Sequence, residues 1–419
     1  LDIEIAAESL VQYALDGFDT FDMADHYGSA ELISGRAQEI LQCQQQNVDS
    51  LNPARFHTKW CPKPGVMQPK VVRDAIDERA DRLRVESIDL LQFHWWTFEH
   101  PGYLDAMEGL VLAQQSGRIN NIGLTNFDTN HLRVLVRHGF PIVSNQVVVS
   151  MLDQRGLEEM TQVVMENNIK LLAYGVLAGG FLTEKWLDKP EPANSDLSDW
   201  SKMKYKRFID ETGGWGNLQN ILRVLKSVAQ RHGVSIANVA TRWVLDHPAV
   251  GAVIVGARLT ENQHREDNVA IYSFSLDEED RSLIAESVAN NRRLKGDCGD
   301  EYREPPFLTA SGDLTHHLDS FPSVYEPIAV PGKADRIQVF SGTKWEKICG
   351  HSRAVKIGNR ILVSGTTATH GQDVVVCRGD AAGQAVYVLD KIKASVMSLG
   401  GSLSNIVRTR VYLQNAEDC

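Results

Sequence analysis

Four ionisable side chains stand where they could share proton chemistry: Asp22 and Tyr27 in GFDTFDMADHYG, Lys59 in FHTKW and His94 in LLQFHWW. Each ends or directly follows a short apolar run. Thr125-Asn126 after NIGL, Asn145-Gln146 in IVSNQ and Tyr174 ending KLLAY occupy the corresponding points of later runs. Singly, each has an ordinary structural reading. The Asp caps a turn, the Tyr packs on a rim, the Lys is solvated, and the His between Phe93 and Trp95 is a hydrogen-bonded core residue. As a set they differ, because carboxylate, phenol, ammonium and imidazole are the groups that hold and exchange protons in catalysis.

Short apolar runs alternate with longer amphipathic stretches through residues 1–290. Strand-like runs fall near residues 18, 56, 90, 122, 144, 171 and 253, and helical patterns lie between them. Strands that are apolar throughout and alternate with helices predict a parallel sheet covered by helices. Seven strands in about 250 residues fit an α/β fold of the (β/α)8 TIM-barrel type. An eighth strand is expected just before Leu1. A doubly wound sheet is the competing fold, but no GxGxxG follows the first strand. In a barrel the working residues sit at the C-terminal strand ends, so the residues named above would form one ring.

The motifs GFDTFDMADHYG, TKW, DLLQFHW, IGLTNF, SNQ and VIVGAR…EDN, in this order, resemble the aldo-keto reductase family over residues 1–290. The resemblance implies an NADPH-dependent reductase of a small-molecule carbonyl, aldehyde or ketone. Tyr27 would be the general acid, Lys59 would lower its pKa, Asp22 would hold Lys59, and His94 would orient the substrate carbonyl. Thr125, Asn126 and Gln146 would hold the nicotinamide carboxamide, and Tyr174 would stack on its ring. Gly256, Arg258, Asp267 and Asn268 would take the adenosine and 2′-phosphate of NADP, the guanidinium favouring a phosphate. Tyr174 is followed by Gly175-Val176 where many members carry a Ser-Pro-Leu type turn. The loop from Gly179 to Leu218 carries Trp186, Trp200, Tyr205, Phe208 and Trp215 with Lys202, Lys204, Lys206 and Arg207. It reads either as a lid with a basic rim or as a surface excursion that buries its aromatics.

Residues 291–335 are rich in Pro, Gly, Asp and Ser and read as a linker or a segment packed on the barrel. Residues 336–419 form an α+β pattern: a hairpin around Gly358-Asn359, a long helix from Ala381, and a strand from Ile406 to Leu413. SRAVKIGNRILVSGT and NIVRTRVYL resemble the reactive-intermediate deaminase (Rid, or endoribonuclease L-PSP) family. That resemblance implies trimers with clefts between subunits. The family's substrate-anchoring arginine lies beyond NIVRTRVYL, so Arg408 and Arg410 do not take its place, and the domain is expected to stop short. Two alternatives to the reductase reading are imine processing by the Rid-like domain and a non-catalytic NADPH sensor.

The net charge of −11 argues against nucleic acid or an anionic membrane as partner. No run reaches the roughly 18 apolar residues of a membrane helix. The six cysteines are scattered without CxxC or a zinc-type cluster, so no metal and a reducing, cytoplasmic setting are expected.

Overall fold

The structure, a computed structural model, describes residues 2–45, 53–197, 199–259, 263–303 and 323–418. Helix α1 (Ile3–Leu15) starts at Asp2, whose carboxylate accepts the amides of Glu4 and Ile5. Seven strands follow: β1 (Thr20–Asp22), β2 (Arg55–Trp60), β3 (Ile88–Phe93), β4 (Ile119–Thr125), β5 (Ile142–Val148), β6 (Lys170–Tyr174) and β7 (Val250–Val253). They pair in chain order in one parallel sheet. Between them run α2 (Ala30–Gln45), α3 (Pro69–Leu83), α4 (Gly102–Gln115), α5 (Thr129–His138), α6 (Glu159–Glu166), α7 (Trp200–Thr212), α8 (Gly214–His232) and α9 (Ile236–Leu245). After β7 come α10 (Arg265–Val269) and α11 (Glu278–Val288).

These are the seven strands the alternating pattern predicts, and Leu91, Phe93, Leu124, Val147 and Leu171 on them are fully buried. Among the described residues β1 and β7 are the sheet's two edges. Helix α1 joins them. It leads into β1, while its Tyr13 hydroxyl donates to the Arg258 carbonyl (3.1 Å) and its Ser9 accepts from Gln263 (2.9 Å). Arg265 pairs with Asp16 at 2.6 Å just past its end.

The loop from Gly179 to Leu218 contains α7, a helix the sequence reading did not separate. Asp199 caps it by accepting the amides of Ser201 and Lys202, and Tyr205, Phe208 and Ile209 fall on one buried face. Of the loop's aromatics, Tyr205, Phe208 and Trp215 are buried and Trp200 is exposed.

Beyond the barrel, α12 (Asp300–Arg303) precedes a small α+β unit. Strands β8 (Ile328–Ala329), β9 (Arg336–Val339), β10 (Ala354–Ile357) and β11 (Arg360–Val363) form an antiparallel sheet in the order β11-β10-β9-β8. Helix α13 (Lys344–Ile348) joins β9 to β10. β12 (Thr369–His370) and β13 (Val374–Val375) form a separate pair, and α14 (Ala381–Ser398) follows. Gly358, at φ 56°, makes the expected β10–β11 turn. Within the stretch read as a linker, Ile328–Ala329 pair with β9, so part of it belongs to this sheet. Ile406 to Leu413 is not a strand. It pairs with nothing in a ladder and Val407 is 99 % exposed. Its β-branched residues favour extended backbone, but a strand also needs a partner. Helix α14 packs on α5 of the barrel.

Candidate active site

Parallel register brings the strand ends level. Lys59 lies opposite Gln92, Thr125 opposite Gln146, and Val148 opposite Tyr174. Asp22, at the end of β1, is the hub. The Lys59 ammonium donates to Asp22 Oδ2 and to the Met23 carbonyl (2.9 Å). Gln92 and Gln146 both donate from Nε2 to Asp22 Oδ1, at 2.7 and 2.8 Å, and Gln146 donates also to Gln92 Oε1 (2.6 Å). The Thr125 hydroxyl donates to the Gln146 carbonyl (3.2 Å). Thr125 and Gln146, assigned to the nicotinamide, are thus tied into the protein's own network. Gln92 was missed by sequence reading, although it is the one polar residue in the apolar run LLQF.

Lys59 is buried beneath Tyr27, its Nζ 5.3 Å from the phenol ring centroid. Burial works against the Lys59 charge, but Asp22 and Tyr27 outweigh it and raise its pKa, so the ammonium stays charged. Tyr27 is itself 52 % exposed. Lys59 pulls the phenol pKa down, as expected, yet desolvation and the Asp22 carboxylate outweigh it and the net direction is upward. Lys59 thus lowers the phenol pKa as expected, but it only moderates a rise that burial and its own counter-ion cause.

His94 is buried. Burial first, and the Arg303 guanidinium second, push its pKa well down, so it is a neutral imidazole. Its Nδ1 lies 3.1 Å from the Thr125 carbonyl, which can only accept. The Nδ1 therefore carries the hydrogen, and Nε2 presents a lone pair. That Nε2 is buried and has no hydrogen-bond partner among the described residues.

A second group of residues reaches the site from residues 297–303, which sequence reading left in the linker. The Lys204 ammonium donates to the Tyr302 hydroxyl (2.7 Å), Tyr302 lies 3.1 Å from the Tyr174 hydroxyl, and Tyr174 donates to Asn126 Oδ1 (2.8 Å). Because Lys204 can only donate and Asn126 Oδ1 only accept, the hydroxyls run in one direction along the chain. The Tyr302 ring is 6.2 Å from the His94 ring. Glu301 is buried against Arg155 (3.1 Å) and Lys204 (3.5 Å), and Asp153 binds Arg155 from the other side (2.7 Å). Arg303 donates to the Trp95 carbonyl at 2.7 Å. Gly299 is at φ +89°, and a Cβ there would lie 2.2 Å from the Asn126 carbonyl oxygen. The two glycines in GDCGDEYR were the available signal: a backbone that turns sharply and approaches another closely.

The remaining assigned residues lie after β7. Gly256 and Arg258 are exposed, and Asp267 on α10 accepts from Ser235 (3.2 Å) and Asn238 (3.0 Å) at the start of α9, with Asn268 beside it. Near Tyr27, Asp25, His26 and Cys61 bring potential ligand atoms within 4.8 Å of one another, a trio that spacing alone did not reveal. Burial works to raise the Asp25 carboxyl, but His26, Arg79 and the Cys61 amide hold it well below the carboxylate range, and burial pushes the Cys61 thiol up. Asp25 is committed to Arg79 at 2.8 Å, so the trio braces the turn that carries Tyr27.

The architecture is a parallel α/β barrel type with buried ionisable residues gathered at its C-terminal strand ends, where such barrels carry their active sites. The chain belongs to the aldo/keto reductase family of oxidoreductases, whose family model matches residues 4–289. A second model, Endoribonuclease L-PSP, matches residues 343–419, so the chain joins the two domains. It is 31 % identical over 179 residues to flagellar radial spoke protein 5 of Chlamydomonas reinhardtii, covering 38 % of this chain and 34 % of that protein. It is 27 % identical over 226 residues to protein tas of Escherichia coli, covering 49 % and 63 %. The chain thus spans between one third and two thirds of these relatives' lengths. Among solved structures, the glycerol dehydrogenase AKR11B4 of Gluconobacter oxydans shares the fold with a TM-score of 0.54, at 22 % identity over 71 % of this chain and 88 % of that one. No helix among the described residues is long and apolar enough to cross a membrane.

Proposed function

We propose that the barrel reduces an aldehyde or ketone to the alcohol with NADPH, Tyr27 acting as general acid. The observation that carries this reading is Lys59: a buried ammonium, ion-paired to Asp22, set 5.3 Å from the Tyr27 ring. The chain's residues fit a dinucleotide. Tyr174 offers an aromatic face, the buried Nε2 of His94 has no hydrogen-bond partner among the described residues, and the Arg258 guanidinium is exposed and suits a 2′-phosphate. Bound nicotinamide supplies the hydride. Tyr27, with its pKa raised, keeps its proton at neutral pH and delivers it to the carbonyl oxygen. The Lys59 cation then stabilises the phenolate left behind, and Asp22 with Gln92 and Gln146 fixes that cation. His94, in the tautomer the Thr125 carbonyl imposes, accepts a hydrogen bond from the alcohol and does not donate to the carbonyl. The Trp96 and Tyr302 rings flank His94, at 4.2 and 6.2 Å between ring centroids, and give this end of the site an aromatic wall.

The test is NADPH oxidation by the purified chain across a panel of aldehydes and ketones. Tyr27→Phe is expected to abolish turnover while NADPH binding persists. An unchanged reduction rate in that variant refutes the reading.

A further inference from the structure

The C-terminal domain docks on the part of the barrel that leads out of the candidate site. Helix α14 lies along α5, and polar contacts cross between the domains, with Arg137 also pairing with Asp380 (3.6 Å) and the Cys377 thiol donating to the Val134 carbonyl (3.3 Å). Asp390 on α14 accepts from His131 Nε2 (2.9 Å), Asp380 accepts from Arg133 through two bonds of 3.0 Å, His370 meets Asp105 (2.9 Å), and Lys393 pairs with Glu99. Of these, the Asp390 contact differs in kind. His131 also binds Asp128 Oδ2 through Nδ1 (2.7 Å), so the imidazole is clamped between two carboxylates, one from each domain. Its ring stacks flat on Phe98, with centroids 3.5 Å apart and planes 7° apart.

Asp128 is the N-cap of α5 and accepts the His131 amide. Two residues before it stands Asn126, held at φ 57°, whose Oδ1 ends the hydroxyl chain from Tyr302 and Tyr174. One residue earlier, the Thr125 carbonyl sets the His94 tautomer. Phe98, under the His131 ring, follows His94 by four residues and carries the Arg303 guanidinium 4.4 Å from its ring centroid. Both loops that present the site to a ligand are therefore anchored at one buried imidazole.

We propose that Asp390 is a positioning residue for the reductase: through His131 and Asp128 the C-terminal domain holds the Thr125–Asp128 loop in its ligand-binding geometry. The inference rests on the reductase reading for the ligand's identity, but not for the mechanical link. Two carboxylates overcome the desolvation of His131 and hold its pKa up to about 10, so the clamp is charged across the neutral range. The groups facing it are Asp128 from its own helix, Asp390 from α14 and Tyr103 from α4, with Arg303 and the Glu99–Lys393 pair one shell further out. Losing Asp390 removes one of the two carboxylates that raise the His131 pKa, and the imidazole then sheds its proton nearer to neutrality.

The test uses the full chain with Asp390→Asn, Asp390→Glu and, as a control at the same interface, Arg133→Ala. Asp390→Asn is expected to weaken NADPH binding about 5- to 100-fold, with a smaller change in kcat. The weakening should grow as pH rises from 6 to 9, where the wild type stays flat. Asp390→Glu should recover part of the affinity, and Arg133→Ala should leave it within about twofold. Amide hydrogen exchange over residues 123–132, measured without cofactor, should accelerate in Asp390→Asn. That second readout holds even if NADPH is not the ligand, so failure of the reductase reading and failure of this inference are separable. Unchanged exchange in that segment overturns the proposal. So does an affinity loss equal in Asp390→Asn and Arg133→Ala, because both would then report only domain docking.

Discussion

Replacing Lys59 by Met isolates the electrostatic part of the proposed chemistry, because it removes the cation and keeps most of the volume. The distance from Nζ to the Tyr27 ring centroid is 5.3 Å. At that separation a unit charge stabilises a phenolate by about 3 kcal/mol at an effective dielectric of about 20. Tyr27 is half exposed, so a dielectric nearer 40 is the fairer limit, and about 1.5 kcal/mol remains. The range corresponds to roughly one to two pKa units on Tyr27, in the upward direction. The phenol becomes a weaker acid, and carbonyl reduction should slow by about 10- to 100-fold. In wild type, burial and Asp22 already outweigh Lys59, so nothing remains in the variant to offset them. The assay is steady-state NADPH oxidation with an aldehyde between pH 6 and 10, alongside a cofactor titration. Asp22 keeps its bonds from Gln92 and Gln146, and circular dichroism melting checks that the barrel persists. An unchanged rate, or a rate loss explained wholly by lost NADPH affinity, would show that Lys59 does not act on Tyr27.

Two other outcomes follow from the same geometry. Gly299→Ala places a side chain on a backbone at φ +89° and 2.2 Å from the Asn126 carbonyl oxygen, so residues 297–303 should lift from the barrel mouth. A loss of about 1–3 kcal/mol is expected from the strain alone, read as a lowered melting temperature and faster proteolysis near residue 300. The His131 imidazolium, with a pKa raised from its ordinary value to about 10, stabilises the fold fully below about pH 6.5. That contribution is lost as pH rises towards 10, so urea midpoints should fall between pH 7 and 10. His131→Gln should flatten this dependence, and a slope that persists in the variant would assign it to another group.

Much of the barrel was legible because its strands are locally marked. LLQFHW, IGLT and SNQVVV are apolar runs of strand length bounded by turn residues, and their ends carry the polar groups in plain view. What escaped was decided by partners far away in the chain. Glu301 meets Arg155 across 146 residues and Tyr302 meets Lys204 across 98, so a Gly- and Asp-rich stretch that reads as a connector becomes part of the site. The opposite case is Ile406–Leu413, where local propensity is strong but no ladder partner is present among the described residues. Helix α7 was hidden because its basic residues obscure the spacing of Tyr205, Phe208 and Ile209. The direction of the Tyr27 shift was likewise out of reach. Adjacency to Lys59 could be inferred from strand register, whereas desolvation could not.

Three carboxylates converge on the first turn of α5. Asp128 caps it, Asp297 accepts the Thr129 amide at 2.8 Å, and Asp390 reaches it through His131. Negative groups at a helix N-terminus are favourable, but three in one buried place repel unless cations separate them. His131 and Arg303 supply that charge, Arg303 acting on Asp128 while it binds the Trp95 carbonyl. Asp297 and Arg303 come from the segment after the barrel, and Asp390 from the C-terminal domain. The turn that follows Asn126 is therefore surrounded by charged groups from three parts of the chain, three carboxylates against two cations. The appended residues thus supply the second carboxylate of the His131 clamp, whose barrel-borne half is Asp128.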